Sequence, residues 1–230
     1  TADLYSNSHL DMVDIDDDGD FDIFIGVEST DTIYFFENTG TASLPAFSNM
    51  VRNPFELAIG FSGLYCNSQY SIAPSFADLD GDGDFDAFLG HYYGGIIHFE
   101  NTGSPSTPAF RSAPLGFRPH CMYSLLSFGD LDGDGDFDAI GATFLIGPEF
   151  YENIGSVSQP EFASPVLTPF GIQNFPLTNG FGNPYLVDID ADSDLDLFVV
   201  WDSEGFFWQE NTGDQTNPAF APQTLLNIAP

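Results

Sequence analysis

The chain has 230 residues, enough for one large or two small domains, and carries 35 acids against three bases, Arg52, Arg111 and Arg118. A formal charge of −32 argues against nucleic acid and anionic membranes as partners, and without lysine there is no P-loop, Schiff base or lysine general base. At 43% hydrophobic, with 25 Phe, the chain can still bury a large core, while no run of about 18 apolar residues offers a membrane span.

In chain order, a short segment leads into an acidic loop, Asp14–Asp22, and an apolar strand follows at Phe21–Val27. A second strand, Ile33–Glu37, ends in Glu-Asn and runs into the turn Asn38-Thr39-Gly40, where Asn and Gly supply positive φ. A proline-led strand marked by Phe47 completes the unit. The unit then recurs. Strand Pro74–Leu79 leads to a loop at Asp78, then Phe85–Gly90, Ile96–Glu100, Asn101-Thr102-Gly103 and Phe110. The third copy has a loop at Asp130, then Phe137–Ala142, Glu149–Glu152, Asn153-Ile154-Gly155 and Phe162. The fourth has strand Tyr185–Ile189, a loop at Asp188, Leu195–Val200, Phe206–Glu210, Asn211-Thr212-Gly213 and Phe220.

Three loops read D-x-D-x-D-G-D-x-D and the fourth differs only at the glycine; the Asp positions of the pattern hold 20 of the 35 acids. They are Asp14, Asp16, Asp18, Asp20 and Asp22; Asp78, Asp80, Asp82, Asp84 and Asp86; Asp130, Asp132, Asp134, Asp136 and Asp138; Asp188, Asp190, Asp192, Asp194 and Asp196. Five acids in nine residues repel one another strongly, and a hard cation inside the loop relieves this. Carboxylates with a backbone carbonyl in a tight turn suit calcium, one ion per repeat and about four in all. The expected ligands are the side chains at positions one, three, five and nine, with the backbone oxygen at seven. An EF-hand needs Glu at position twelve, but that position holds Ile25, Leu89, Gly141 and Val199. Position six is glycine in three copies and Ser193 in the fourth, which predicts a weaker or strained fourth site.

From the first loop Asp to the marker Phe is 33 residues in the first repeat (14 to 47) and 32 in the others (78 to 110, 130 to 162, 188 to 220). From that Phe to the next loop it is 31, 20 and 26, so length variation is confined to one connection. Four short strands per unit, without helix periodicity, predict an all-β β-propeller of four four-stranded blades. The approximate blades are 1-58, 59-115, 116-170 and 171-230. Naming the strands A to D, the acidic A–B loops and the Asn-Thr-Gly C–D turns share one end of each blade. The variable B–C and D–A connections share the other, where a partner is expected if their variation serves function. Cys66 and Cys121 both fall in D–A connections and permit one disulfide.

These residues resemble the FG-GAP/VCBS repeat family, the calcium-loop blades of integrin α-subunit propellers and many bacterial surface proteins. The third repeat fits best, with Phe128-Gly129-Asp130, the loop, then Ile140-Gly141-Ala142; the second has Phe76-Ala77-Asp78 and Phe88-Leu89-Gly90. The Glu-Asn-Thr-Gly turn followed by Pro-Ala-Phe is similar to the bacterial form. The resemblance covers essentially the whole chain and implies blade type, calcium and an extracellular setting, but not function. Family propellers usually have seven blades. Four imply a compact ring, a partial ring completed by another copy, or a piece of a longer array, with no spare strand to lock a closure.

No G-x-S-x-G or H-E-x-x-H is present, and His9, His91, His98 and His120 lack metal spacing, so an enzyme is not expected. Glu37, Glu100, Glu152 and Glu210 recur at one position, which suits turn bracing better than catalysis. Two classes remain. One is a structural or adhesive module that self-associates as a homo-oligomer or fibre, or docks a surface protein. The other is a glycan-binding module using Tyr92, Tyr93, Trp201 and Phe206, whose rings lie in or beside B–C connections. Millimolar calcium favours a secreted or cell-surface location. A mature secreted chain is expected to lack a leader, as the visible N-terminus does.

Overall fold

The computed structural model describes residues 8–27, 32–57, 72–91, 95–116, 125–143, 147–173, 182–201 and 205–226. Cys66, Cys121, His120, Arg118, Tyr92 and Tyr93 lie outside them, as do most of the variable connections and the side chain of Trp201. The expected disulfide and most of the proposed sugar-stacking rings therefore fall outside the described residues. The chain is all-β, with four antiparallel four-stranded sheets, each a propeller blade. It divides into two compact units, 1–122 and 123–230, with two blades in each.

Blade 1 contains β1 (Ser8–Val13), β2 (Asp22–Val27), β3 (Thr32–Phe36) and β4 (Val51–Arg52). Blade 2 contains β5 (Ile72–Ala77), β6 (Asp86–His91), β7 (Gly95–Asn101) and β8 (Phe110–Ala113). Blade 3 contains β9 (Leu126–Gly129), β10 (Asp138–Thr143), β11 (Gly147–Tyr151) and β12 (Val166–Leu167). Blade 4 contains β13 (Gly182–Val187), β14 (Asp196–Trp201), β15 (Gly205–Gln209) and β16 (Thr224–Leu226). Each sheet uses four consecutive strands in sequence order, so the acidic loop lies between the first two strands, as expected.

The strand boundaries differ from the sequence reading in two respects. The second strand of each blade starts on the loop's last Asp, one residue after the predicted Phe or Leu. Three of those predicted first residues, Phe21, Phe85 and Phe137, are exposed side chains outside the sheet. The proline-led strand also starts later than its marker Phe in three blades. Phe47, Phe162 and Phe220 make only isolated bridges to Asn38, Asn153 and Asn211, and the ladder begins at Val51, Val166 and Thr224. In blade 2 it begins at Phe110 itself. Two one-turn 3₁₀ helices, Pro54–Glu56 and Pro169–Gly171, follow the last strands of blades 1 and 3. Their Pro-Phe pairs place Phe55 (φ 53°) and Phe170 (φ 55°) in the left-handed region.

The core lies between the two blades of each unit. In unit 1, Phe24 and Phe35 of blade 1 pack on Ala87, Leu89 and Phe99 of blade 2, with Phe76 4.5 Å from Phe24 between ring centroids. Phe55 on the 3₁₀ turn links Phe35 and Phe110 at 5.4 and 6.0 Å. The blades approach so closely that a Cβ on Gly26 would lie 1.9 Å from the Ile72 carbonyl oxygen. In unit 2, Ile140 and Phe150 of blade 3 pack on Leu197, Val199 and Phe207 of blade 4. The Phe220 N–H donates to the Phe170 carbonyl at 2.8 Å, tying the marker Phe of blade 4 to the 3₁₀ turn of blade 3.

Candidate metal centres in the acidic loops

Every loop is wound around its own first carboxylate. Asp14 accepts from the N–H groups of Asp18 and Gly19, both at 3.0 Å, and Asp78 accepts from Asp82 and Gly83, both at 3.1 Å. Asp130 accepts from Gly133 (2.7 Å) and Gly135 (3.1 Å), and Asp188 accepts from Ser193 (3.1 Å). The position-five carboxylates, Asp18, Asp82, Asp134 and Asp192, each accept from the position-seven N–H at 3.1 Å. The winding requires two left-handed residues per loop. At position six these are Gly19, Gly83, Gly135 and Ser193, with φ of 91°, 94°, 96° and 79°. At position four they are Asp17, Gly81, Gly133 and Ala191, with φ of 57° to 74°. The second requirement was hidden in the sequence because only two of the four copies use glycine there.

The loops bring carboxylate oxygens together within 4.8 Å. The sets are Asp14, Asp16 and Asp18; Asp78, Asp80 and Asp82; Asp130, Asp132 and Asp138; Asp188, Asp190 and Asp192. The fourth set is exposed throughout, unlike the other three. At position seven, Asp20, Asp84, Asp136 and Asp194 are buried, and in all four an Oδ1 finds no hydrogen-bond partner. The position-nine residues are buried at the start of the second strand. Their Oδ1 atoms accept the N–H of the turn Asn, from Asn38 to Asp22 and Asn211 to Asp196 at 2.7 Å, Asn101 to Asp86 at 2.8 Å, and Asn153 to Asp138 at 2.9 Å. Each acidic loop is thus tied to the C–D turn of its blade.

These carboxyls resist ionisation. Burial, followed by repulsion from neighbouring acids, raises Asp16, Asp80, Asp132 and Asp190 above the usual carboxylate range. The same two causes raise Asp20 and push Asp84, Asp136 and Asp194 to about 6. Burial outweighs the opposing backbone hydrogen bonds at Asp22, at about 6, and at Asp138, at about 7. All-oxygen donors, mutual repulsion and a buried unpaired oxygen in each loop fit a hard divalent cation. Positions one, three and five would hold it in loops one, two and four, and positions one, three and nine in loop three. The ion would supply charge neutralisation and cross-link the loop.

The FG-GAP-like repeat family model matches residues 14–89 and 78–140, together more than half of the chain. The chain belongs to the FG-GAP-like repeat family. Among curated protein sequences, none matches it. Among solved structures, this FG-GAP chain is similar to an Agrocybe aegerita lectin described as recognising non-reducing terminal N-acetylglucosamine. Identity is 18% and the TM-score 0.52, over 96% of this chain and 52% of the lectin. It also matches a chain of the Photorhabdus luminescens Tc holotoxin pore at 15% identity and TM-score 0.41, covering 99% of this chain and 12% of that one. The FG-GAP chain therefore spans about half the length of the first and a small part of the second.

Other recurring side chains have structural partners. The FG-GAP turn residues Asn38, Asn101, Asn153 and Asn211 are buried, and each Oδ1 accepts two backbone N–H groups across its turn. They brace the turn more directly than the neighbouring glutamates. Glu37, Glu152 and Glu210 contribute backbone carbonyls that accept from Ser48, Ala163 and Ala221, while the Glu100 side chain pairs with Arg111 at 3.0 Å. His98 is buried and stacked on Phe88 at 4.8 Å, with Nε2 3.4 Å from Asp86 Oδ2. The sequence reading missed Asp11, which reaches from blade 1 to accept the Phe76 N–H of blade 2 at 3.1 Å. Ser127 does the same from blade 3 for Leu186 of blade 4 at 3.0 Å. Both lie three residues before their loop, a recurrence that differing residue types conceal.

Proposed function

We propose that this chain is an extracellular, calcium-stabilised structural or adhesive module that acts by self-association or by docking a surface protein, without catalysing a reaction. The observation that carries this reading is the buried, unpartnered Asp oxygen recurring at position seven of all four loops, beside clustered carboxylates. Recurrence in every blade suits a role in holding blades together rather than a single reactive centre. Loops whose clustered carboxylates are mostly only partly buried, and in the fourth loop exposed, suit the weak calcium affinities of modules that work in millimolar calcium outside cells. Among the described residues, no helix is long and apolar enough to cross a membrane.

The test is calcium titration by calorimetry with melting in calcium and in chelator. Up to four ions should bind, and at a hundredfold excess over Kd each would add about 2.7 kcal/mol. Unchanged melting after prolonged dialysis against EDTA would overturn the reading. A second reading, glycan binding, draws on the fold shared with the Agrocybe aegerita lectin and on Phe206, which is 40% exposed beside a B–C connection. A glycan array separates the two: specific retention of a sugar supports the second, and its absence the first.

A further inference from the structure

Blade 4 departs from the other three at two positions that touch each other. Its acidic loop has Ser193 where the others have Gly19, Gly83 and Gly135. Its C–D turn has Gln215 where the others have Ala42, Pro105 and Val157, none of which carries a side-chain donor. The Gln215 Nε2 donates to the Ser193 carbonyl. It thereby holds the one position-six residue that keeps a side chain at positive φ, 79°. The Asn211 N–H already ties the start of this turn to Asp196 Oδ1 at 2.7 Å, so loop four and its turn are joined at two points.

The same turn meets the preceding blade. A Cβ on Gly133, at position four of loop three, would lie 2.6 Å from the Thr216 methyl and 2.8 Å from the Gln215 carbonyl oxygen. Loops one and four place Asp17 and Ala191 at that position, so left-handed φ alone does not demand glycine there; in loop three the turn does. Loop three also winds differently at this point. Asp130 accepts from Gly133, at position four, where Asp14 and Asp78 accept from position five. Its carboxylate cluster takes in Asp138 of position nine in place of Asp134 of position five. Asp214 stiffens the turn: its Oδ1 accepts the N–H groups of Thr216 and Asn217, both at 3.0 Å, and the Thr216 hydroxyl at 2.8 Å. One braced turn thus touches two acidic loops.

We propose that the turn at residues 214–217 couples calcium binding at loops three and four, with Gln215 as the link, so that filling either loop tightens the other. This coupling rests on the calcium reading above and lies wholly within the unit 123–230. Both loops carry the buried, unpartnered position-seven oxygen, on Asp136 and Asp194, beside their carboxylate clusters. Winding of loop four around an ion fixes the Ser193 carbonyl, and with it Gln215 and the turn. A fixed turn relieves loop three of the cost of ordering Gly133, the residue with most conformational freedom to lose. Linkage makes the effect reciprocal. One hydrogen bond of ordinary net strength sets the scale, about two- to tenfold in affinity.

The experiment is a calcium titration of the full chain followed by NMR. The Gly135 amide, which donates to Asp130, reports loop three, and the Asp194 amide, which donates to Asp192, reports loop four. Four chains are compared: unaltered, Gln215→Ala, loop four silenced by Asp188→Asn with Asp190→Asn, and the combination. Gln215 is exposed, so Gln215→Ala should melt close to the unaltered chain, and the Gly19 and Gly83 amides of the other unit check that the silenced chains stay folded. Silencing loop four should raise the loop-three midpoint by about two- to tenfold when Gln215 is present, and by clearly less in Gln215→Ala. The charge removed is the same in both backgrounds, so the difference belongs to the turn. The reverse cycle, with Asp130→Asn and Asp132→Asn silencing loop three, should give the same factor at loop four, and it decides the matter alone if the first silenced chain does not fold. An equal shift in both backgrounds, or none in either, would overturn the coupling and leave the calcium reading standing. Loop amides that do not respond to calcium at all would overturn the calcium reading and the coupling with it.

Discussion

Ser193→Gly isolates the conformational requirement of one loop. Ser193 holds φ 79°, against 91°, 94° and 96° for the glycines at the same position, so it sits 12 to 17° short of them. A side chain in the left-handed region costs about 1–2 kcal/mol, and glycine gives back about 0.5–1 kcal/mol in folding entropy. The net gain expected is about 0.5–1 kcal/mol, or about two- to fivefold in calcium affinity. In calcium the melting temperature should rise by about 1–4 °C. The gain loads on the bound state because without an ion the crowded acids let the loop relax. The Gln215 side chain donates to the Ser193 carbonyl, a backbone contact that the substitution keeps. Gly135→Ser should weaken loop three by a similar amount, since a Cβ there meets nothing within 4 Å and only φ opposes it. Calorimetry of both variants beside the unaltered chain is the assay. Unchanged or weaker binding in Ser193→Gly, with Gly135→Ser neutral, would refute the reasoning.

Gly133→Ala should be worse than Gly135→Ser, because its Cβ adds contacts of 2.6 Å to Thr216 and 2.8 Å to the Gln215 carbonyl oxygen to a φ of 74°; thermal melting ranks the pair. Gly26→Ala drives a Cβ into the Ile72 carbonyl oxygen at 1.9 Å and should cost at least about 3 kcal/mol, read as a lower midpoint in urea or as insoluble protein. Asp11→Ala leaves the Phe76 N–H without its acceptor and should cost about 1–3 kcal/mol, with Asp11→Ser milder because Ser127 already fills that role in blade 3. In chelator the raised carboxyls reverse the usual acid response. Asp11, Asp22 and Asp84 near 6 and Asp138 near 7 lie above their unfolded value of 3.8, so their contribution is full below about pH 4 and lost as pH rises through 6 to 7. The metal-free melting temperature should fall between pH 5 and pH 7.5, and calcium should remove that fall by favouring the ionised form; a metal-free protein that becomes more stable over the same range would contradict this.

Repetition made the blades legible without coordinates. Four loops in register, each followed by an apolar strand and an Asn-Gly turn, leave few arrangements other than antiparallel sheets with the acids at one end. Local chemistry suffices there, because the position-six glycine supplies a left-handed φ and each turn Asn side chain accepts N–H groups of its own turn. Against expectation the Asn-x-Gly turns themselves hold no positive φ, and their glycines are needed because a Cβ would come within 2.2 to 2.4 Å of a backbone carbonyl oxygen across the turn. The clustering of carboxylates was readable for the same reason: the spacing of alternate acids brings oxygens of positions one and three together with that of five, or of nine in loop three, once the backbone winds.

Contacts distant in sequence were not readable. Phe47, Phe162 and Phe220 read as strand markers, yet they stand ahead of the ladder, where the Asn-bridged turn holds them. The Pro-Phe turns at Pro54 and Pro169 exist because Phe55 and Phe170 fill gaps beside neighbouring rings, which no local period encodes. Asp11 and Ser127 share one inter-blade role through different side chains, because the requirement is only an oxygen aimed at the next strand's N–H. The sequence by itself determined the repeat, the blade and the acidic loops, since these depend on residues within a dozen positions. Tertiary structure decided which faces are covered: Ile15 and Ile189 are the same residue at the same loop position, one buried and one exposed, and only the packing of neighbouring blades separates them.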